Sequence, residues 1–146
     1  MNAMTRLFEI AASAAADVDA CERQLDVALA LPEGTPTSDL AAAIDCALRL
    51  HRGVLRRAGG QYVPILLRER VRQKMFQALW RGAQSLRSSG MHEQAIAYLE
   101  KALELDPSAE HCRQALQRLH FALERNGAIL KAFEQMRRSL GVALTV

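Results

Sequence analysis

The chain has 146 residues and a formal net charge of +3, and half of its residues are hydrophobic while 5% are aromatic. This composition suits one globular domain rich in helix, because residues with high β-propensity are too sparse for a β-sandwich or barrel. Three cysteines are too few for a disulfide scaffold, which favours a cytoplasmic location. No run of about 20 apolar residues is present to span a bilayer, so no membrane partner is expected.

Helices are predicted over most of the chain, six to eight in total. The spacing of apolar residues places the clearest ones, in chain order, at 18–31, 39–50, 64–87, 91–105, 109–125 and 128–140. Turn-forming residues separate them, namely Pro32-Glu33-Gly34-Thr35-Pro36, Gly59-Gly60, Ser88-Ser89-Gly90, Asp106-Pro107-Ser108 and Asn126-Gly127. Connections this short between amphipathic helices predict antiparallel neighbours.

Charge is distributed unevenly among these helices. Residues 1–48 carry eight acidic and two basic side chains, 49–87 carry ten basic and one acidic, and 88–146 carry seven of each. The basic block indicates either a helix that lies against the acidic one or a surface for phosphate or an acidic protein. Its aromatic residues are too scattered to form a platform on which nucleotide bases stack.

A degenerate repeat is visible in the second half of the chain. Small residues follow Gly90 and Gly127 at the same offsets, as in the tetratricopeptide repeat (TPR), whose two helices cross where side chains are small. The positions that we assign to such crossings or to the ends of the repeat are Ala83, Gly90, Ala95, Leu99, Ala102, Pro107, Gly127 and Ala132. The predicted fold is therefore all-α, a TPR-like right-handed superhelix of antiparallel helix pairs. Chance recurrence in an alanine-rich helical protein is the alternative.

Several segments together resemble a known family. They are Asp17-Val18-Asp19-Ala20-Cys21-Glu22, Ala47-Leu48-Arg49-Leu50-His51-Arg52-Gly53-Val54-Leu55, Leu67-Arg68-Glu69-Arg70-Val71, the stretch from Ala95 to Glu110 with Asp106-Pro107, and the stretch from Gly127 to Val142. Their order and spacing resemble the bacterial transcriptional activator domain (BTAD), the TPR-like domain of SARP-type regulators. Cys21 and His51 depart from the family pattern, since aromatic residues are usual at both positions.

The resemblance implies a domain organisation and a function. Residues 17–146 would form the TPR-like domain, and residues 1–16 would be a tag, a linker or the remnant of a preceding DNA-binding domain. The implied function is protein–protein contact in a bacterial transcription regulator, through self-association and recruitment of the transcription machinery. DNA would be bound by a separate domain that is absent from this chain.

A sensory TPR domain is the alternative function. Polar side chains on the first helix of each hairpin line the concave face of such folds, and a cationic groove there would suit an acidic peptide or small ligand. The candidate groove residues are Arg70, Lys74, Gln77, Arg81, Arg113 and Gln117. A merely solvated surface explains the same residues.

Catalysis is not predicted. The chain has no phosphate-binding glycine loop and no nucleophile motif, and its cysteines and histidines lack the spacing of a metal site. We therefore expect neither an enzyme nor a catalytic residue, bound metal or cofactor.

Overall fold

The structure is a computed structural model that describes residues 3–58 and 65–144. These residues form five helices: α1 (Ala3–Ala30), α2 (Thr37–Ala58), α3 (Ile65–Ser88), α4 (His92–Leu105) and α5 (Glu110–Leu144). No strand occurs within these two ranges, and the predicted all-α fold is confirmed. The predicted punctuation at Gly59-Gly60 and the helix start at Pro64 lie outside the described residues.

The helices pack as consecutive hairpins. In the first hairpin the Cys21 thiol donates to the carbonyl oxygen of Ala47 and the Gln24 amide donates to that of Ala43. Residue numbers therefore rise along α1 while they fall along α2, so these helices are antiparallel. Helices α3 and α4 form the next hairpin, and α5 packs against α4. This succession of paired helices is that of TPR-like folds.

The first helices of the two hairpins run parallel to each other. Glu22, Asp26 and Leu29 of α1 contact progressively later residues of α3, ending with Arg81. Antiparallel pairs whose first helices are parallel are expected when one hairpin stacks on the next. The acidic and basic blocks of the sequence thus face each other along this seam.

A single hydrophobic core runs through all five helices. Its largest fully buried side chains include Leu25, Ile44, Met75, Leu79, Leu86 and Leu99. Small residues lie between them, with Ala28, Ala47, Ala83, Ala95 and Ala102 each at most 1% exposed. Alanine lets helix axes approach to about 8 Å, the near end of the usual packing range.

Two turns fix the position of α4. Gly90 precedes it with a φ of +80°, a left-handed conformation that glycine adopts without a steric penalty. At the other end, Asp106 donates its backbone N–H to the carbonyl of Ala102, and its carboxylate accepts hydrogen bonds from the backbone N–H and hydroxyl of Ser108. Asp106 thereby ends α4 and orders the loop that leads into α5, and Pro107 lies exposed in that loop.

The turn predicted at Asn126-Gly127 is absent, which corrects the sequence interpretation. Helix α5 runs through both residues without interruption. Asn and Gly each cost a helix interior about 1 kcal/mol or less relative to Ala, and the strong helix formers on either side offset this. Gly127 and Ala132 consequently lie at no crossing within the described chain, and Ala132 is exposed.

Helix α1 is also longer than predicted. It begins at Ala3, so the described residues before 17 continue the same helix that contributes Val18, Cys21 and Leu25 to the core. No helix within residues 3–58 and 65–144 combines the length and apolarity required to cross a membrane.

Candidate interaction surfaces

A network of ion pairs joins the acidic helix α1 to the basic helix α3. The Glu22 carboxylate accepts from Arg70 Nη2 at 2.9 Å and from Lys74 Nζ at 3.0 Å, and Lys74 Nζ also lies 2.7 Å from Oδ1 of Asp26. Hydrogen bonds from Arg70 and Lys74 lower the pKa of Glu22, and those to Asp26 and Glu22 raise the pKa of Lys74. These contacts agree with one of the two interpretations of the charge pattern, in which the basic helix lies against the acidic one.

Arg81 binds the end of α1 and the loop that follows it. Its Nη1 donates to the carbonyl oxygens of Ala28 and Leu29, each at 3.0 Å. Its Nη2 donates to the carbonyls of Leu31 and Pro32. The last carbonyls of a helix lack intrahelical partners and carry partial negative charge, so this guanidinium caps α1 from α3.

The remaining candidate groove residues lie further along the same layer of helices. Arg113 donates to the carbonyl of Pro107 at 2.6 Å and pairs with Glu110 at 3.2 Å. Gln77 and Gln117 are exposed. The four cationic residues of the predicted groove, Arg70, Lys74, Arg81 and Arg113, therefore all bind oxygen atoms of the protein itself. This leaves less unpaired positive charge for an acidic ligand.

An aromatic cluster that the sequence analysis did not identify holds the start of α5 against α3. The His111 ring packs edge-on against Phe76 and Trp80, with centroid distances of 5.6 and 4.7 Å. Nearby, Arg72 pairs with Glu69 and donates to the carbonyl of Leu105. Aromatic residues spaced at 76 and 80 could have indicated a shared helix face, but nothing local in the sequence connects them to position 111.

The second half of α5 presents a row of large apolar side chains to solvent. Phe133 is 68% exposed, Leu130 65%, Met136 62%, Leu140 61% and Ile129 48%. Ile129, Phe133, Met136 and Leu140 follow one another at intervals of four, three and four residues, and Leu130 lies three residues before Phe133, so all five share one side of the helix. We call these five residues the α5 apolar face.

The α5 apolar face extends away from the core of the domain. The last fully buried core residue of α5 is Leu119, and Leu123 packs on the edge of the core. From Glu124 to Gly141, each residue except the half-buried Gly127 is exposed. Monomeric proteins rarely expose contiguous apolar patches larger than a few hundred Å², and larger ones mark sites of protein association.

Metal-ligand clusters and cysteine thiols bear on what chemistry these surfaces can support. Among the described residues, no three His, Cys, Asp or Glu side chains are grouped so that they could hold a metal ion. Cys21 and Cys112 are buried, and burial raises the pKa of both thiols, which makes them poor nucleophiles. The surfaces described above consist of paired charges along α1 and α3 and of exposed apolar side chains on α5.

Comparison with known proteins gives one match. A family model described as the bacterial transcriptional activator domain matches residues 16–146. No curated protein and no solved structure shows a significant match to the chain.

Proposed function

The chain belongs to the bacterial transcriptional activator domain family, which confirms the resemblance in the sequence, and we propose that it is the protein-interaction domain of a DNA-binding transcription regulator. It contributes protein–protein contact, through self-association, contact with the transcription machinery, or both. It performs no catalysis, and a separate domain binds the DNA.

One observation carries this proposal: the α5 apolar face places five large apolar side chains in water along one side of a single helix. The other exposed large apolar side chains of the described residues are spread over three helices and a turn, namely Met4, Val27, Ile65, Leu66, Met91 and Phe121. Keeping five such side chains in water is unfavourable by about 25 cal/mol for each Å² of apolar area. A partner that covers them recovers this free energy. A protein surface is a suitable partner, because the five side chains form a row that extends over residues 129–140 of one helix.

The charged seam supports an interaction domain more than a sensor of acidic ligands. Glu22 and Asp26 already pair with Arg70 and Lys74, and Arg81 binds backbone carbonyls. An acidic ligand would have to displace these contacts before it gained any of its own. The seam therefore serves to fix the angle between the two hairpins.

A bacterial two-hybrid assay tests the proposal. The chain is paired with itself and, separately, with the α and σ subunits of RNA polymerase. We expect a signal with at least one of the three, which Phe133→Asp abolishes because an ionised carboxylate cannot be buried at an apolar contact. Leu66→Asp is the matched control, since Leu66 is 86% exposed on α3, outside the α5 apolar face.

Two results would contradict the proposal. One is the absence of a signal with all three partners while both fusions are expressed and folded. The other is a signal that Phe133→Asp and Leu66→Asp reduce equally. A signal with a polymerase subunit but not with the chain itself supports the interaction role and bears only on the identity of the partner.

A further inference from the structure

We propose that the α5 apolar face pairs with the same face of a second copy of this chain, the two helices running antiparallel. This inference rests on the proposed interaction function and names the partner of the α5 apolar face. Its support comes from the area of the face, the continuity of the helix, and the charges beside the apolar row.

The area is sufficient for a specific dimer of modest affinity. The five side chains are roughly half to two-thirds exposed. At about 100 to 150 Å² for each side chain, they offer about 500 to 700 Å² per copy, and pairing buries more than about 1,000 Å² in total. Specific interfaces begin near that size, so this face alone accounts for association without any contribution from the rest of the domain.

The continuity of α5 favours a second copy over the chain's own core. To cover the face from within the chain, the helix would have to break between Leu119, where the core ends, and Ile129. The structure instead keeps this segment helical through Asn126 and Gly127. A continuous helix holds its apolar row where another continuous helix can lie alongside it.

The charged residues beside the apolar row can pair with those of a second copy when the two helices run antiparallel. Leu130, Glu134, Arg137 and Gly141 follow one another at intervals of four, three and four residues, so they form one flank of the face. In an antiparallel pair with twofold symmetry, this flank meets the same flank of the second copy.

One register satisfies both the apolar row and the flank. When Leu130 lies beside Gly141 of the second copy, Glu134 lies beside Arg137 of that copy, and symmetry repeats the pair. Phe133 then lies between Met136 and Leu140 of the second copy. Opposite charges meet twice and the largest apolar side chain is at the centre, where association energy is concentrated.

Sedimentation velocity of the chain over a range of concentrations tests self-association. We expect a monomer–dimer equilibrium that Phe133→Asp weakens by at least about 30-fold, the effect of losing a central apolar contact. Leu66→Asp should leave it unchanged. Circular dichroism of both variants shows whether the domain remains folded, which Phe133→Asp should not affect because Phe133 is exposed.

An exchange of charges tests the antiparallel register. Glu134→Arg and Arg137→Glu each place like charges together and should each weaken the dimer by about three- to fivefold. In a heterodimer of the two variants, both contacts between residue 134 of one chain and residue 137 of the other again join opposite charges. Within each variant helix, residues 134 and 137 still carry like charges, so only contact between the two chains restores the pairs. We expect the mixture to form heterodimers about as readily as the unaltered chain forms dimers.

Three outcomes would overturn the proposal. The chain is a monomer at every concentration, or it forms a dimer that Phe133→Asp leaves intact, or the mixed charge variants associate no better than either alone. After any of these three outcomes, the proposed interaction function is still supported if a two-hybrid signal with a polymerase subunit depends on Phe133.

Discussion

Tyr98 of α4 packs its ring directly over Gly82 of α3. A Cβ atom added to Gly82 would lie 2.8 Å from Cε2 of Tyr98 and 2.5 Å from Cδ1 of Ile44 in α2. Real Cβ atoms do not approach other heavy atoms so closely. Glycine at this position therefore allows three helices to meet, and it joins the second helix of the first hairpin to both helices of the second.

Gly82→Ala should destabilise the domain. The added methyl group forces Ile44 and Tyr98 to move, and overpacking of this kind costs about 1 to 3 kcal/mol, which exceeds the gain of about 1 kcal/mol that Ala brings to a helix. We expect a net loss of about 1 kcal/mol in the free energy of unfolding, measured by urea denaturation.

Gly53→Ala is the matched control for this substitution. Gly53 lies in α2, and a Cβ added there meets nothing within 4 Å. Only the helix propensity changes, so the free energy of unfolding should rise by up to about 1 kcal/mol. Equal effects of the two substitutions would contradict the close approach at Gly82.

Tyr98 also connects the hairpins through its hydroxyl group. The hydroxyl donates to Oδ1 of Asp45 at 2.7 Å and also contacts the carbonyl oxygen of Ala41 at 3.3 Å. Burial of the phenol, together with its hydrogen bond to Asp45, raises the pKa of Tyr98. Tyr98→Phe keeps the ring and removes the hydrogen bond, which should cost about 1 kcal/mol of unfolding free energy. Asp45→Asn, which retains an acceptor oxygen, should cost less, and no loss of stability from Tyr98→Phe would show that the ring alone matters.

The sequence predicts much of the fold because helices and their connections are local features. The apolar period and the turn residues place the last residue of α3 and both ends of α4 within one residue of those observed. Gly82 escaped the prediction because the repeat pattern assigns the small position to the neighbouring Ala83. The need for glycine depends on Ile44 and Tyr98, which lie far away along the chain and next to it only after folding.

The interaction surfaces are harder to predict than the helices, because contacts between helices decide which side chains remain exposed and unpaired. Composition indicates a basic segment, but whether Lys74 faces solvent or Glu22 depends on how one hairpin stacks on the other. The same limit applies to Asn126-Gly127, which are typical of a turn and yet lie inside α5. The α5 apolar face is exposed because, among the described residues, no hydrophobic side chain of α5 after Leu123 packs against the core, and no local pattern in the sequence reveals this.

The pairing of Glu22 with Lys74 should be weakly stabilising and sensitive to pH and salt. A double-mutant cycle with Glu22→Gln and Lys74→Met should give a coupling energy of up to about 1 kcal/mol that decreases in high salt. The pKa of Glu22 is lowered in the folded chain, so its contribution is present above the ordinary glutamate pKa and lost as the pH falls below it. Glu22→Gln should therefore flatten the loss of stability in acid, whereas an unchanged acid profile would contradict the pairing.

Cys21 should not react with thiol reagents while the chain is folded. Its thiol is fully buried, and burial raises its pKa to about 11, so about 0.1% is thiolate at pH 8. We expect the half-buried Cys46 to react with a thiol reagent first, and Cys21 to react only at the rate of unfolding, as peptide mass spectrometry can follow. Because the folded pKa is raised, Cys21 stabilises the fold below its ordinary pKa, and that contribution is lost as the pH rises toward 11.

Gly127 decides whether the α5 apolar face stays on a helix that is continuous with the core-packed part of α5. A Cβ at this position meets nothing within 4 Å, so Gly127→Ala should strengthen the helix by about 1 kcal/mol and tighten self-association by up to about fivefold. Gly127→Pro should break the helix at a cost of about 3 kcal/mol and abolish self-association. The urea midpoint of the core should be insensitive to Gly127→Pro, because the buried residues of α5 end at Leu119. Helical circular dichroism and sedimentation velocity measure both effects. If a helical hairpin were the associating form, the order would reverse, with Pro tolerated at the turn and Ala weakening the dimer.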